Sequence, residues 1–311
     1  MLSRAAERIY WTGRYLERAE DTARLVQQYS QLLLDLPEEV GVEWSELVRI
    51  VGAAAPYEAS ATSADEQATL EFLLADPDSQ SSLAYSLRMA RENIRNTRDL
   101  LPLESWESVN ELHQFARESL GPAASGSDRF EVLAECIARC QQICGILSGT
   151  MSHQEPYHFL TLGQNLERAD MTSRVVDVAA AYIQHNERVV RRYGSSLWTN
   201  LLKSVSGFQM YRQYRQPAMQ GSVVINFLLA DRYFPRAITC CVENAKRSSN
   251  ALPHAATTVA ALEAVTEFLV PIPDGQVTAA TVSNLMDTVQ SRLGDVHRAV
   301  VDTWFLPGGA G

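Results

Sequence analysis

No stretch of this sequence approaches the roughly eighteen uninterrupted apolar residues of a membrane span, and its opening, MLSRAAERIYWTGRYLERAE, has no continuous apolar core. Neither a transmembrane helix nor a secretory leader is expected. Cysteine is sparse. Of the five, Cys136, Cys140 and Cys144 recur every fourth residue within an apolar pattern, while Cys240 and Cys241 are adjacent. An odd count at such spacings does not suit a disulfide framework, so a reducing, cytoplasmic setting is expected. Basic charge is in deficit. The 27 Lys and Arg against 37 Asp and Glu leave a formal charge of −10 and a pI near 5.2, which repels a phosphate backbone and argues against nucleic-acid binding. A Walker A loop, a dinucleotide glycine fingerprint and a GxSxG elbow are all missing.

What is present is helix. The 46% hydrophobic content can fill a core without disulfides or metal. From Phe130 onward Leu133, Ala134, Ile137, Cys140, Ile143, Cys144 and Leu147 follow the spacing of one helix face. Ser63–Glu66 and Asp128–Glu131 have capping-box form, and Pro37, Pro56, Pro77, Pro102, Pro122 and Pro253 fall between periodic segments as stops. The pattern predicts helices over 2–35, 43–54, 63–75, 79–100, 103–120, 129–149, 157–191, 195–207, 222–231, 234–251, 254–270 and 276–304. SVVINFLL, within 222–231, has enough β-branched content to be a strand instead.

The chain also resembles itself. GRYLERAEDTARLV from Gly13 aligns with GQNLERADMTSRVV from Gly163 at an offset of 150, with 8 of 14 positions identical. WSELVRIVG from Trp44 matches WTNLLKSVS from Trp198 at an offset of 154, and FLLAD recurs at Phe72 and Phe227, an offset of 155. Three segments in one order at nearly one displacement imply an internally duplicated, all-α bundle, one domain over 1–311 with repeats at about 1–150 and 151–305. Two such halves can pack about a pseudo-two-fold axis. The small residues Gly13, Ala19, Ala23, Gly163, Ala169 and Ser173 would then admit close helix approach, bringing Glu17 and Glu167 to a shared seam.

At about 100° per residue Glu17, Glu20 and Arg24 share a helix face, with Arg14 at its margin. Glu167, Asp170 and Arg174 occupy the matching positions, and Arg18 and Arg168 stand to the side. One reading is an ion-pair network locking two helices, since guanidinium forks match carboxylates. The other is a polar pocket for a charged small molecule or for acid–base chemistry. Arg91, Arg95 and Arg98 form a basic stripe partly neutralised by Glu92 and Asp99. It is either a solvated face or an anion-docking surface. Arg188, Arg191, Arg192, Lys203, Arg212 and Arg215, interleaved with Tyr193, Tyr211 and Tyr214, suggest a protein-partner surface more than a nucleic-acid one. Glu155-Pro-Tyr-His158 matches the Glu-x-x-His of di-iron bundles only formally, because Pro156 puts it at a helix entrance. The Cys136–Cys144 stripe fits core better than ligand. No metal and no cofactor are called for.

Four ordered motifs, ERIYWTGRYLERAEDTAR, ARENIRNTRDLL, LGQNLERADMTSRVVD and FLLADRYFPRAI, resemble those of the bacterial alpha-E domain proteins over nearly the whole chain. The resemblance puts the family's Glu-Arg motif on Glu17-Arg18 and Glu167-Arg168, and its Ala-Arg-Glu-Asn segment on Ala90 to Asn93. The Pro-Arg-Ser-like element falls on Pro235-Arg236, with Ala237 in place of the serine, so this chain lacks that hydroxyl. It implies gene company with circularly permuted ATP-grasp amide ligases and hence a part in ATP-dependent amide or peptide bond formation. The leading expectation is a partner of such a ligase, itself binding no ATP, that helps bind an anionic small-molecule or peptide substrate. Arg18, Arg168, Glu20, Asp170, Arg24, Arg174, Arg91, Glu92, Asn93 and Arg236 are the candidate contacts. The rivals are a stand-alone enzyme with Glu17 and Glu167 as acid–base groups, and a structural scaffold.

Overall fold

The computed structural model describes residues 1–37, 43–60, 63, 65–126, 128–185, 187–215, 219–273 and 275–306, and every regular element among them is helical. The elements are α1 (Ser3–Asp35), α2 (Ser45–Ile50), α3 (Ala54–Ser60), α4 (Glu66–Leu70), α5 (Leu83–Asn96), α6 (Leu103–Ser125) and α7 (Arg129–Thr150). They continue with α8 (Glu155–His185), α9 (Glu187–Ser204), α10 (Phe208–Arg215), α11 (Gly221–Ala230), α12 (Ile238–Asn250), α13 (Ala256–Thr266) and α14 (Ala279–Val300). Helices α4 and α14 each run on into a π-helical turn, Glu71–Ala75 and Val301–Phe305. None is long and apolar enough to cross a membrane, among the described residues.

The two longest helices, α1 and α8, form the centre and pack on each other. They run in the same direction. Gly163 lies against Tyr10, Arg168 reaches Glu17, and Val175 lines the same cleft as Leu25. Adjacent parallel helices need a long connection, which α2 to α7 provide. Helices α5 and α7 lie on α1 with α6 spanning them, and α12 and α14 lie on α8 with α13 spanning those. Because α1 is wrapped on nearly all sides, its polar motif is interior: Leu16, Glu17, Ala19 and Ala23 are all 0% exposed.

Glycine sets the crossing. A Cβ on Gly13 would lie 2.2 Å from the Leu160 carbonyl oxygen, and one on Gly163 would lie 2.1 Å from that of Tyr10. Any larger residue would force the helices apart. The helix expected over 43–54 is shortened to α2, with Gly52 at a φ of +71° just past its end, and α3 beyond it was not anticipated. At Gly52 a side chain would collide with the Arg174 guanidinium, 2.4 Å from the Cβ position.

Several boundaries differ from the sequence reading for local reasons. Asp65, not Ser63, caps α4 by accepting the Ala68 N–H at 2.9 Å, and the Asp128 side chain makes no capping bond to α7. Pro122 does not stop α6, which continues to Ser125 with the exposed proline removing one rung near its end. Pro56 sits in the first turns of α3, where few intrahelical donors are lost. The helix expected over 157–191 starts at Glu155 and gives way to α9, which absorbs most of the 195–207 segment. Helix α10 was not anticipated. SVVINFLL is helical, α11, with Val224, Ile225, Phe227, Leu228 and Leu229 buried. Tertiary burial overrides β-branched preference here. Residues 307–311, PGGAG, read from the sequence as a frayed tail, lie outside the described residues.

Candidate functional site

Past the glycine crossing, α1 and α8 exchange ion pairs reciprocally. Arg168 donates from Nε and Nη2 to the two oxygens of Glu17, both at 2.7 Å. Arg18 in turn donates to Glu167 from Nε at 2.5 Å and from Nη2 at 3.1 Å. Each carboxylate takes a second guanidinium. Glu17 pairs with Arg236 Nη1 at 2.7 Å, and Glu167 accepts from Arg14 Nε at 2.6 Å. Such forked, charge-assisted bonds are the strong kind, and these are interior: Glu17 is 0% and Glu167 3% exposed.

The Glu17 side extends further. Arg236, presented by the turn before α12, also donates to Asp21 and, from Nη2 at 3.0 Å, to Glu20. Thr172 Oγ1 donates to the Arg236 carbonyl at 2.9 Å, tying that turn to α8. Glu20 Oε1 also accepts from Arg24 Nη2 at 2.5 Å and from Gln141 Nε2 at 3.1 Å. The matching pair in α8, Arg174 Nε to Asp170 at 2.9 Å, stands apart and more exposed. Ala237 takes the N-cap position of α12 without a side-chain bond, whereas Ser82 caps α5 by accepting the Tyr85 N–H at 3.0 Å. A serine at 237 would serve as a helix cap.

Electrostatics keep both central carboxylates ionised. Burial alone would push Glu17 up, but Arg236 and Arg168 hold it below its ordinary value. Burial likewise opposes ionisation of Glu167, yet Arg18 and Arg14 bring it down to about 2. Asp21 behaves oppositely. Burial, reinforced by the charges of Glu17 and Glu20, outweighs Arg236 and raises it to about 7, and its Oδ2 has no hydrogen-bond partner. A carboxylate that is ionised, walled off and saturated by guanidiniums is a poor proton shuttle. The Arg18 and Arg168 side chains, each 21% exposed, reach from the seam toward the surface.

Sequence reasoning missed part of this network. Arg14 was placed only at the margin of the face, and Asp21, Tyr10 and His297 were not considered. Tyr10 hydrogen-bonds His297 Nδ1 at 2.9 Å and accepts from Arg14 Nη1 at 3.4 Å, so the Glu167 cluster ends on an imidazole from α14. Burial and the Arg14 charge lower His297 to about 4. The run Glu20-Asp21 was visible, but the aspartate's role depends on Arg236, 215 residues away.

The α5 candidates do not join the seam. Arg91 donates to Asn110 Oδ1 at 2.6 Å and lies over Trp106, Glu92 accepts from Arg95 at 2.7 Å, and Asn93 is buried with its carbonyl bonded by Thr97. In the basic and aromatic cluster Tyr211 is buried, Arg212 lies over Phe208, and Tyr214 is 70% exposed. The side chains of Arg188, Arg191 and Arg215 lie outside the described residues. Glu155 pairs with the Met1 amino group, and His158 has Tyr157 edge-on to its ring. All five cysteines are free thiols, and burial pushes Cys136 up to about 12. A cavity of about 870 Å3 opens at the N-terminal ends of α1 and α8 between Arg4, Arg8, Asn96, Asp99, His153 and His158, and no seam carboxylate lines it.

Two uncharacterized proteins, one of Mycobacterium bovis and one of Mycobacterium tuberculosis, are each 24% identical to this chain over 263 residues, covering 79% of it. The matched segment is only 29% of each relative's own length. No solved structure matches the chain. Residues 1–305 match the family described as a predicted alpha-helical domain with a conserved ER motif. The chain belongs to that family, Alpha-E.

Proposed function

We propose that this chain is a non-catalytic partner of an ATP-grasp amide ligase, helping to bind and present a charged substrate, and that its Glu-Arg pairs are a structural lock. One observation carries the second half of this reading. The Glu17 and Glu167 carboxylates are sealed from solvent and each is gripped by two guanidiniums, which favours rigidity over acid–base turnover. The partnership is supported by the absence of a nucleotide-binding motif. It rests further on the gene company with such ligases that the alpha-E resemblance implies. The five free thiols fit a cytoplasmic setting.

The same lock supports an origin by duplication, with halves at about 1–150 and 151–305. Reciprocity is the reason: Arg18 reaches Glu167 as Arg168 reaches Glu17, and the Gly13 and Gly163 contacts exchange in the same way. Equivalent roles make Arg18→Gln and Arg168→Gln similarly costly to thermal stability. A several-fold disparity between them would count against equivalence.

The test of partnership is co-purification with the neighbouring-gene ATP-grasp ligase in low salt, where a stable complex is expected. Glu17→Gln, where folded, should restore ligase turnover to a system lacking this chain. Restoration by the wild type alone, with the variant equally folded, would move the reading to catalysis. A clean failure to associate would end it.

A further inference from the structure

Beside the seam, where α1 passes the α9–α10 junction and the start of α7, an open cavity of about 580 Å3 is lined by Arg24, Lys203 and the glutamines Gln27, Gln28, Gln31 and Gln209, with Phe130, Ser206 and Phe208 completing its wall. No acidic side chain among the described residues lines it, on a protein whose net charge is −10. Its two cations are under-compensated. Arg24 shares Glu20 Oε1 with Arg236 and Gln141, and its Nε is buried with no hydrogen-bond partner. Lys203 is exposed, its ammonium 5.9 Å from the Phe208 ring centre and paired with no carboxylate among the described residues. Two cationic side chains lining one cavity, the guanidinium sharing its only carboxylate and the ammonium paired with none among the described residues, are the electrostatic complement of a carboxylate. The Gln28 and Gln209 side-chain amides, each a donor and an acceptor, also line the cavity and match the two-sided hydrogen bonding of a peptide group.

We propose that this cavity binds the carboxylate end of a peptide-like amide. Arg24 and Lys203 hold the carboxylate, and Gln28 and Gln209 pair with the adjoining amide. The seam has a part in this. Through Glu20, the Arg236 and Glu17 network fixes the direction of the Arg24 guanidinium, so the lock becomes the rigid back wall of a binding site. This rests on the substrate-presenting half of the proposed function and names its ligand class.

Calorimetric titration of the isolated chain with acetyl-dialanine and with acetyl-dialanine amide tests it. The free carboxylate should bind saturably and the amide roughly tenfold more weakly, the loss expected for one charge-assisted hydrogen bond. Lys203→Gln should weaken the carboxylate probe by about the same factor without moving the melting temperature, because Lys203 is exposed. No saturable binding, equal binding of the two probes, or indifference to Lys203→Gln overturns the proposal, as does inorganic phosphate binding better than either probe. Because no ligase is present, failure here is distinct from failure of the partnership, which co-purification reads separately.

Discussion

Replacing Glu17 by Gln keeps the side-chain shape but removes one charge from the centre of the molecule. The amide offers a single acceptor and turns two donors toward guanidiniums that have none to accept them, Arg168 at 2.7 Å and Arg236 at 2.7 Å. Removing one partner of a buried ion pair costs about 3–5 kcal/mol. The Arg168 side chain is 21% and Arg236 10% exposed, so water recovers part of this and the lower end, about 3 kcal/mol, applies. Unfolding entropies near 2.1 cal/mol/K per residue give about 0.65 kcal/mol/K for a chain of 311 residues, so the melting temperature should fall by roughly 5 °C. Differential scanning calorimetry at pH 7 reads this directly, with exposed Glu111→Gln as a control expected to be neutral. The penalty also has a pH signature. Glu17 is held below its ordinary 4.5, so its contribution is complete above that pH and fades as pH falls further. The variant should therefore converge on the wild type in acid. A Glu17→Gln protein melting within a degree of wild type at pH 7 would refute the view that this network locks the helices.

Gly13→Ala should lower stability by about 1–3 kcal/mol through overpacking against the Leu160 carbonyl. Gly145→Ala, on the exposed side of α7 with nothing within 4 Å, should raise it by about 0.5–1 kcal/mol, and two melting curves distinguish them. Asp21 is raised to about 7, so the folded state favours its protonated form and wild-type stability drains away as pH rises from about 4 through 7. Asp21→Asn should accordingly compare better with wild type at pH 8 than at pH 5, and a pH-independent difference in melting temperature would contradict this. His297, lowered to about 4, stays neutral at pH 5.5, where an unperturbed imidazole is mostly protonated. Its NMR shifts should not move between pH 7.5 and 5.5, and a midpoint near 6.5 would remove it from the Tyr10 and Arg14 network.

Helical class, the place of most helices and the pairing of Glu17-Arg18 with Glu167-Arg168 were legible in the sequence. Apolar periodicity and self-similarity are local or directly comparable along a chain, and the need for small residues at Gly13 and Gly163 could be inferred from the repeat. The candidate site was legible by halves. Arg236 was found through its motif, but nothing near Asp21 announces that this turn will lie on it, and nothing in α14 marks His297 as the end of a chain of contacts from Glu167. Those are pairings across 215 and 287 residues, decided only when α12 and α14 close on α8 and α1.

Tertiary structure alone decided how completely the Glu-Arg face is covered. An amphipathic helix is expected to turn its charges to water, and α1 does not, because α5, α7, α8 and α9 surround it and its acids meet guanidiniums from α8 and the α12 turn. One helix's residue spacing determines which side chains share a face. What covers that face is set by the packing of the other helices. In this protein that packing makes the motif an interior lock and leaves Arg24 at the edge of the cavity beside it.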